Sequence, residues 1–126
     1  VPVLFGSPAG PWHARIGEVL ARMLDASDLV VTSTDLSHYL NESSANAIDR
    51  RSIDAVLAKD WQASAQHIRD KSCSMCGGAA MTAAMSLARA RRAEDWKLLD
   101  YRTSAAASGD FKRVVGYAAI SMERAA

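Results

Sequence analysis

The sequence predicts an α/β domain built on an open, mixed and mainly parallel sheet flanked by helices. Short apolar runs at residues 1–5 (VPVLF) and 29–34 (LVVTST) read as strands, and a stretch with helical spacing lies between them. That strand–helix–strand order favours parallel pairing through a right-handed crossover. Two more strand-like runs, residues 96–103 and 114–121, close the chain across a Gly-containing loop and are expected to pair antiparallel, which makes the sheet mixed. With 126 residues and no internal repeat or linker, the chain reads as a single domain, 1–126.

The elements follow in order. Residues 1–5 are nearly all apolar and closed by Gly6, as expected of a strand covered on both faces, with Pro2 near its start where a missing ladder donor matters least. Residues 6–11 (GSPAGP) form a loop by composition. Trp12, Ile16, Val19, Leu20, Met23 and Leu24 then recur as one stripe of an amphipathic helix. The β-branched run 29–34 leads into Asp35-Leu36-Ser37-His38-Tyr39. Residues 44–58 predict a helix with Ile48, Ser52, Ile53, Val56 and Leu57 on one side, and 61–69 a short third helix. After the loop 71–78 (KSCSMCGG), Ala80, Ala83, Ala84, Leu87 and Ala88 form a small-residue stripe suited to close helix packing. Residues 104–113 are expected to be a loop.

Bulk composition removes several classes of function. Apolar residues at 49% and charged residues at 23% suit a globular protein and argue against intrinsic disorder. A net charge of +1, from 15 basic and 14 acidic residues spread along the chain, leaves no basic face for nucleic acid. The densest basic cluster, Arg89, Arg91 and Arg92, falls where a helix is expected to end and reads as a complement to the helix dipole. No apolar run approaches the ~20 residues of a membrane span, and two cysteines do not make a secreted disulfide framework. A cytoplasmic location is the default expectation.

Two segments carry chemistry. Asp35, Ser37 and His38 follow a predicted strand's carboxyl end, where open α/β sheets gather ligands. His38 suits general acid or base work, and Asp35, three residues earlier, suits holding its ring tautomer. The competing reading makes Asp35 or Ser37 a turn cap and His38 a structural residue. The second segment is Cys73-Ser74-Met75-Cys76-Gly77-Gly78. The Cys-x-x-Cys spacing suits half a zinc site or a redox dithiol, but no second Cys pair exists and the motif comes late in the chain. Cys76 precedes the glycines that open a helix, where the dipole favours a thiolate, the form that binds soft or borderline metals. The alternative is an inert buried cysteine. His13 and His67 lie in no motif and read as surface or interhelical residues; Met75, Met81 and Met85 read as packing around the fourth helix.

Together, VVTSTDLSHYL at residues 30–40, MCGGAAMTA at 75–83, LLDYRTS at 98–104, SGD at 108–110 and VVGYAAI at 114–120 resemble the Memo family. Its bacterial and archaeal members are called AmmeMemoRadiSam system protein B. The order and spacing of these segments are similar to the second half of that family. The resemblance implies a fold related to the class III extradiol dioxygenases, which use mononuclear non-haem iron. It places His38 on the histidine that corresponds to the dioxygenases' acid/base. It places Cys76 on the cysteine that completes a two-His, one-Cys metal site, for which iron or copper is expected. The family's two metal-binding histidines belong to its N-terminal half, and no segment here resembles those motifs.

A chain opening at a non-Met residue inside a predicted buried strand is expected to be a fragment or split product. Its implied partners are the missing N-terminal half or a second copy of the chain, with a small molecule or peptide as ligand. The function expected is a metal-dependent redox or oxygenase role in the complete form, with the isolated chain inactive. The rivals are a non-catalytic peptide-binding module using the same pocket, and a dithiol redox protein using Cys73 and Cys76.

Overall fold

The computed structural model describes residues 1–6 and 10–124. Its elements are α1 (Pro11–Met23), β1 (His38–Leu40), α2 (Glu42–Leu57), α3 (Trp61–Arg69), α4 (Gly78–Ala90), β2 (Asp95–Thr103), α5 (Ala105–Ser108) and β3 (Val114–Glu123). The predicted loop at residues 6–11 falls partly outside the described residues.

The expected α/β class holds, but the mainly parallel sheet does not. The described strands form one three-stranded sheet in the order β1-β3-β2, and both pairings are antiparallel. The expected hairpin of the last two strands is present, with Asp95 opposite Glu123 at one end and Thr103 opposite Gly116 at the other. The 104–113 connection contains the one-turn helix α5, closed by Gly109 in the left-handed region at φ 71.

Residues 1–5 and 29–34 are not strands. Val1, Leu4, Leu29 and Val31 are exposed. A strand requires a ladder partner for its backbone groups as well as an apolar sequence. The 29–34 segment stands off β3 across a cavity of about 420 Å³, and backbone bonding to that strand begins only at Leu36, whose N–H donates to Gly116 O at 3.0 Å. The predicted βαβ unit fails for this reason.

The helices form where expected, and their local chemistry sets their ends. Asn41 caps α2 by accepting from Ser44 N at 2.9 Å, which starts the helix two residues earlier than the periodicity implied. Asp60 caps α3 by accepting from Gln62 N and Ala63 N, both at 3.0 Å. In α1 the helix opens on Pro11, and His13 is fully buried with Nδ1 accepting from Gly10 N at 2.8 Å, so it belongs to the cap rather than to a surface. His67 is exposed, as expected.

The face that α1 buries also differs from the expected stripe. His13, Ala14 and Gly17 are buried, while Trp12, Val19 and Met23 are exposed. The small side chains of α4 admit a close neighbour, so the small face of α1 packs there and part of its apolar stripe is left outside. Arg91 locks the pair: Nε donates to Ala21 O at 2.9 Å, and the guanidinium also reaches Leu24 O. The arginine cluster therefore serves the end of α1 as well as that of its own helix. Val56, Met81 and Met85 form a core cluster, flanked by Trp61, Met75, Trp96, Ile120 and Met122, so the methionines are packing residues as predicted.

Candidate metal centre

Two loops meet at the site, and the backbone joins them. Cys76 N–H donates to Asp35 O at 3.1 Å, and Asp35 N–H donates back to Cys76 Sγ at 3.2 Å. Thr34 Oγ1 accepts from Gly77 N at 2.7 Å and lies 3.6 Å from Cys76 Sγ. Gly77 allows this approach: a Cβ there would stand 2.7 Å from Thr34 Cβ and 2.9 Å from Ser33 O, closer than real contacts fall. The glycines after Cys76 are thus explained by tight packing, while the cysteine beside them is exposed and not buried as its alternative reading had it.

Each loop is also fastened from behind. Ser52 of α2 accepts from Ser74 N at 3.1 Å, and Ser74 Oγ donates to Leu36 O at 3.3 Å. Asp49, one helical turn earlier and fully buried, accepts from Ser37 N through Oδ1 at 2.8 Å and from Ser37 Oγ through Oδ2 at 3.0 Å. Tyr101 of β2 donates to the same Oδ2 at 2.9 Å. Burial, and then the Asp49 carboxylate, push the Tyr101 phenol far above its ordinary range, so it stays a donor. Every buried polar side-chain atom among the described residues has a partner.

His38 opens β1 beside a bulge. It pairs with Val115 while Leu40 pairs with Val114, so Tyr39 is the extra residue, held at φ 60 with Arg113 stacked 5.1 Å above its ring. The bulge turns the chain sharply after His38 and leads it into the Asn41 cap of α2.

The three residues singled out from the sequence come together. His38 Nε2 lies 3.4 Å from Asp35 Oδ2, and ligand atoms of Asp35, His38 and Cys76 all lie within 4.8 Å of one another. His38 and Cys76 line one cavity of about 400 Å³, with Leu40, Ile48, Ile68 and Met75 among its walls. Both cysteines are free, but Cys73 is buried, and burial raises its thiol pKa. His13 and His67 are not part of the cluster.

A family model described as Memo-like protein matches residues 1–121. The chain belongs to the Memo-like family. A MEMO1 family protein of Methanopyrus kandleri is 36% identical to this Memo-like chain over 113 residues, covering 87% of the chain and 40% of the relative. One from Methanothermobacter thermautotrophicus is 34% identical over 124 residues (96% and 45%), and one from Nitrosopumilus maritimus 31% over 121 residues (95% and 44%). The chain spans less than half the length of these relatives. No helix among the described residues is long and apolar enough to cross a membrane.

Sequence reasoning missed Asp49 and Tyr101, and it gave no supporting role to Thr34, Ser52 or Ser74. One signal was visible: Asp49 and Ser52 share the helix face of Ile53 and Val56, and polar residues on a buried face need partners.

Proposed function

We propose that this chain supplies part of a transition-metal site for a metal-dependent redox or oxygenase reaction on a small molecule. The observation that carries the reading is the convergence of Asp35, His38 and Cys76 ligand atoms within 4.8 Å. A thiolate sulfur, an imidazole nitrogen and a carboxylate oxygen make a mixed donor set that suits borderline first-row ions. Cys76 is the anchoring ligand, and Asp35 and His38 stand within reach of the same ion. Iron or copper is the metal the Memo resemblance implies, and when bound it supplies redox and Lewis-acid chemistry. Asp35 Oδ2 faces His38 Nε2 and orients the ring; where Nε2 is not itself a ligand to the ion, the proton it shares with Asp35 is the one His38 would hold or move.

Titration of the chain with Co²⁺, followed by absorption spectroscopy, tests the reading. The expected result is a sulfur-to-cobalt charge-transfer band that disappears in Cys76→Ser. Absence of binding, or a Cys76→Ser spectrum like the wild type's, overturns it. The apolar walls formed by Leu40, Ile48, Ile68 and Met75 support a second reading, a peptide-binding pocket at the same place. That reading is favoured if a peptide library yields binders whose affinity is unchanged by Cys76→Ser.

A further inference from the structure

We infer that Asp49 is the positioning residue of this site, setting through Ser37 the directions in which Asp35 and His38 leave the chain. The inference rests on the metal-site reading above and adds a residue that lies outside the ligand cluster. Ser37 sits between the two site residues and is fully buried. Its amide and its hydroxyl both donate to the Asp49 carboxylate, at 2.8 and 3.0 Å, which removes the rotational freedom of that residue. Its carbonyl accepts from Gly116 N at 3.0 Å, and the preceding Leu36 N–H donates to Gly116 O at 3.0 Å. Every backbone hydrogen-bonding group of Ser37 is therefore engaged, and the peptide planes on either side of it are fixed.

Asp49 is itself held from the far side. Tyr101 OH donates to Oδ2 at 2.9 Å, and Gly116 leaves the space the carboxylate occupies. Three neutral donors meet one buried carboxylate, and among the described residues no basic side chain forms an ion pair with it. A neutral amide at this place would offer one acceptor oxygen to the three donors. A carboxylate instead offers two equivalent oxygens, which lets one group take three donors and tie α2, β2 and the site turn to a single point. Metal sites depend on such outer partners to orient their ligands.

The test uses the full chain with Asp49→Asn and Ser37→Ala, read in two ways: Co²⁺ affinity and spectrum, and the ring nitrogen resonances of His38 in metal-free, ¹⁵N-labelled protein at fixed pH. Asp49→Asn keeps the shape but offers one acceptor oxygen to three donors. It is expected to weaken Co²⁺ binding about tenfold to a hundredfold, alter the cobalt spectrum, and shift or broaden the His38 resonances, with the far-ultraviolet circular dichroism unchanged. Ser37→Ala removes only the hydroxyl bond, and it carries the test if Asp49→Asn does not fold; a smaller change in the same direction is expected. Wild-type affinity, spectrum and His38 resonances in a folded variant overturn the inference. If the wild-type chain binds no Co²⁺, the metal reading fails, while the His38 resonances still decide whether Asp49 sets the turn.

Discussion

Replacing Gly116 by alanine drives a methyl group into the buried carboxylate of Asp49. The added Cβ would lie 1.8 Å from Asp49 Oδ2 and 2.7 Å from its Cγ, whereas real Cβ contacts essentially never fall under 3.0 Å. Either the carboxylate or β3 must withdraw by more than about 1 Å, and hydrogen bonds of 2.8–3.0 Å do not survive that displacement. Each of the three bonds to this charged acceptor is worth about 1.5–3 kcal/mol, and partial loss of them outweighs the roughly 0.5–1 kcal/mol that alanine gains over glycine within a strand. A net loss of about 3 kcal/mol is expected, a large share of the ~5–15 kcal/mol that holds a domain together. In urea unfolding followed by circular dichroism, that loss moves the midpoint down by roughly 1–3 M. The double variant Asp49→Ala/Gly116→Ala should be about as stable as Asp49→Ala alone, because the methyl then has room; the two changes should couple. A Gly116→Ala protein within about 0.5 kcal/mol of wild type, or a strictly additive double variant, would show that the carboxylate is not held where the argument needs it.

Three further outcomes are expected. Iodoacetamide at mildly acidic pH should label Cys76 well before Cys73, since Cys76 is exposed while burial raises the Cys73 thiol pKa; equal or reversed labelling in a peptide map contradicts this. The Tyr101 phenol has a folded-state pKa raised above its ordinary 10.0, so its contribution to stability is complete below that pH and is lost as the pH climbs above it and the unfolded chain ionises. Tyr101→Phe should therefore lose less stability than wild type between pH 9 and roughly 11 in alkaline denaturation, and identical slopes would refute the assignment. Finally, the exposed apolar side chains of Val1, Leu4, Leu29 and Val31 are expected to drive self-association of the isolated chain. Sedimentation should show dimers or larger species that revert toward monomer in Leu4→Ser/Leu29→Ser, whereas a monomeric wild type at high concentration counts against the idea.

Helices, turns and the closing hairpin were legible in the sequence because their determinants are local. Periodic apolar residues and a glycine-containing loop between two strand-like runs each act within a few residues. The two site segments were legible too, since Asp35, His38 and Cys76 stand in compact motifs, although 38 positions separate His38 from Cys76. Two features were decided by tertiary structure alone. Residues 1–5 and 29–34 have strand-like composition, yet a strand exists only where another backbone supplies its ladder, and among the described residues none does so. The support of the site was equally hidden. Asp49 sits on the apolar face of its helix, which signals that it needs a partner but not which one, and Tyr101, 64 residues beyond Ser37, looks like an ordinary surface-type side chain until folding brings the two together. Partnership of a buried polar group depends on which backbones approach one another, and that approach is a property of the packed chain.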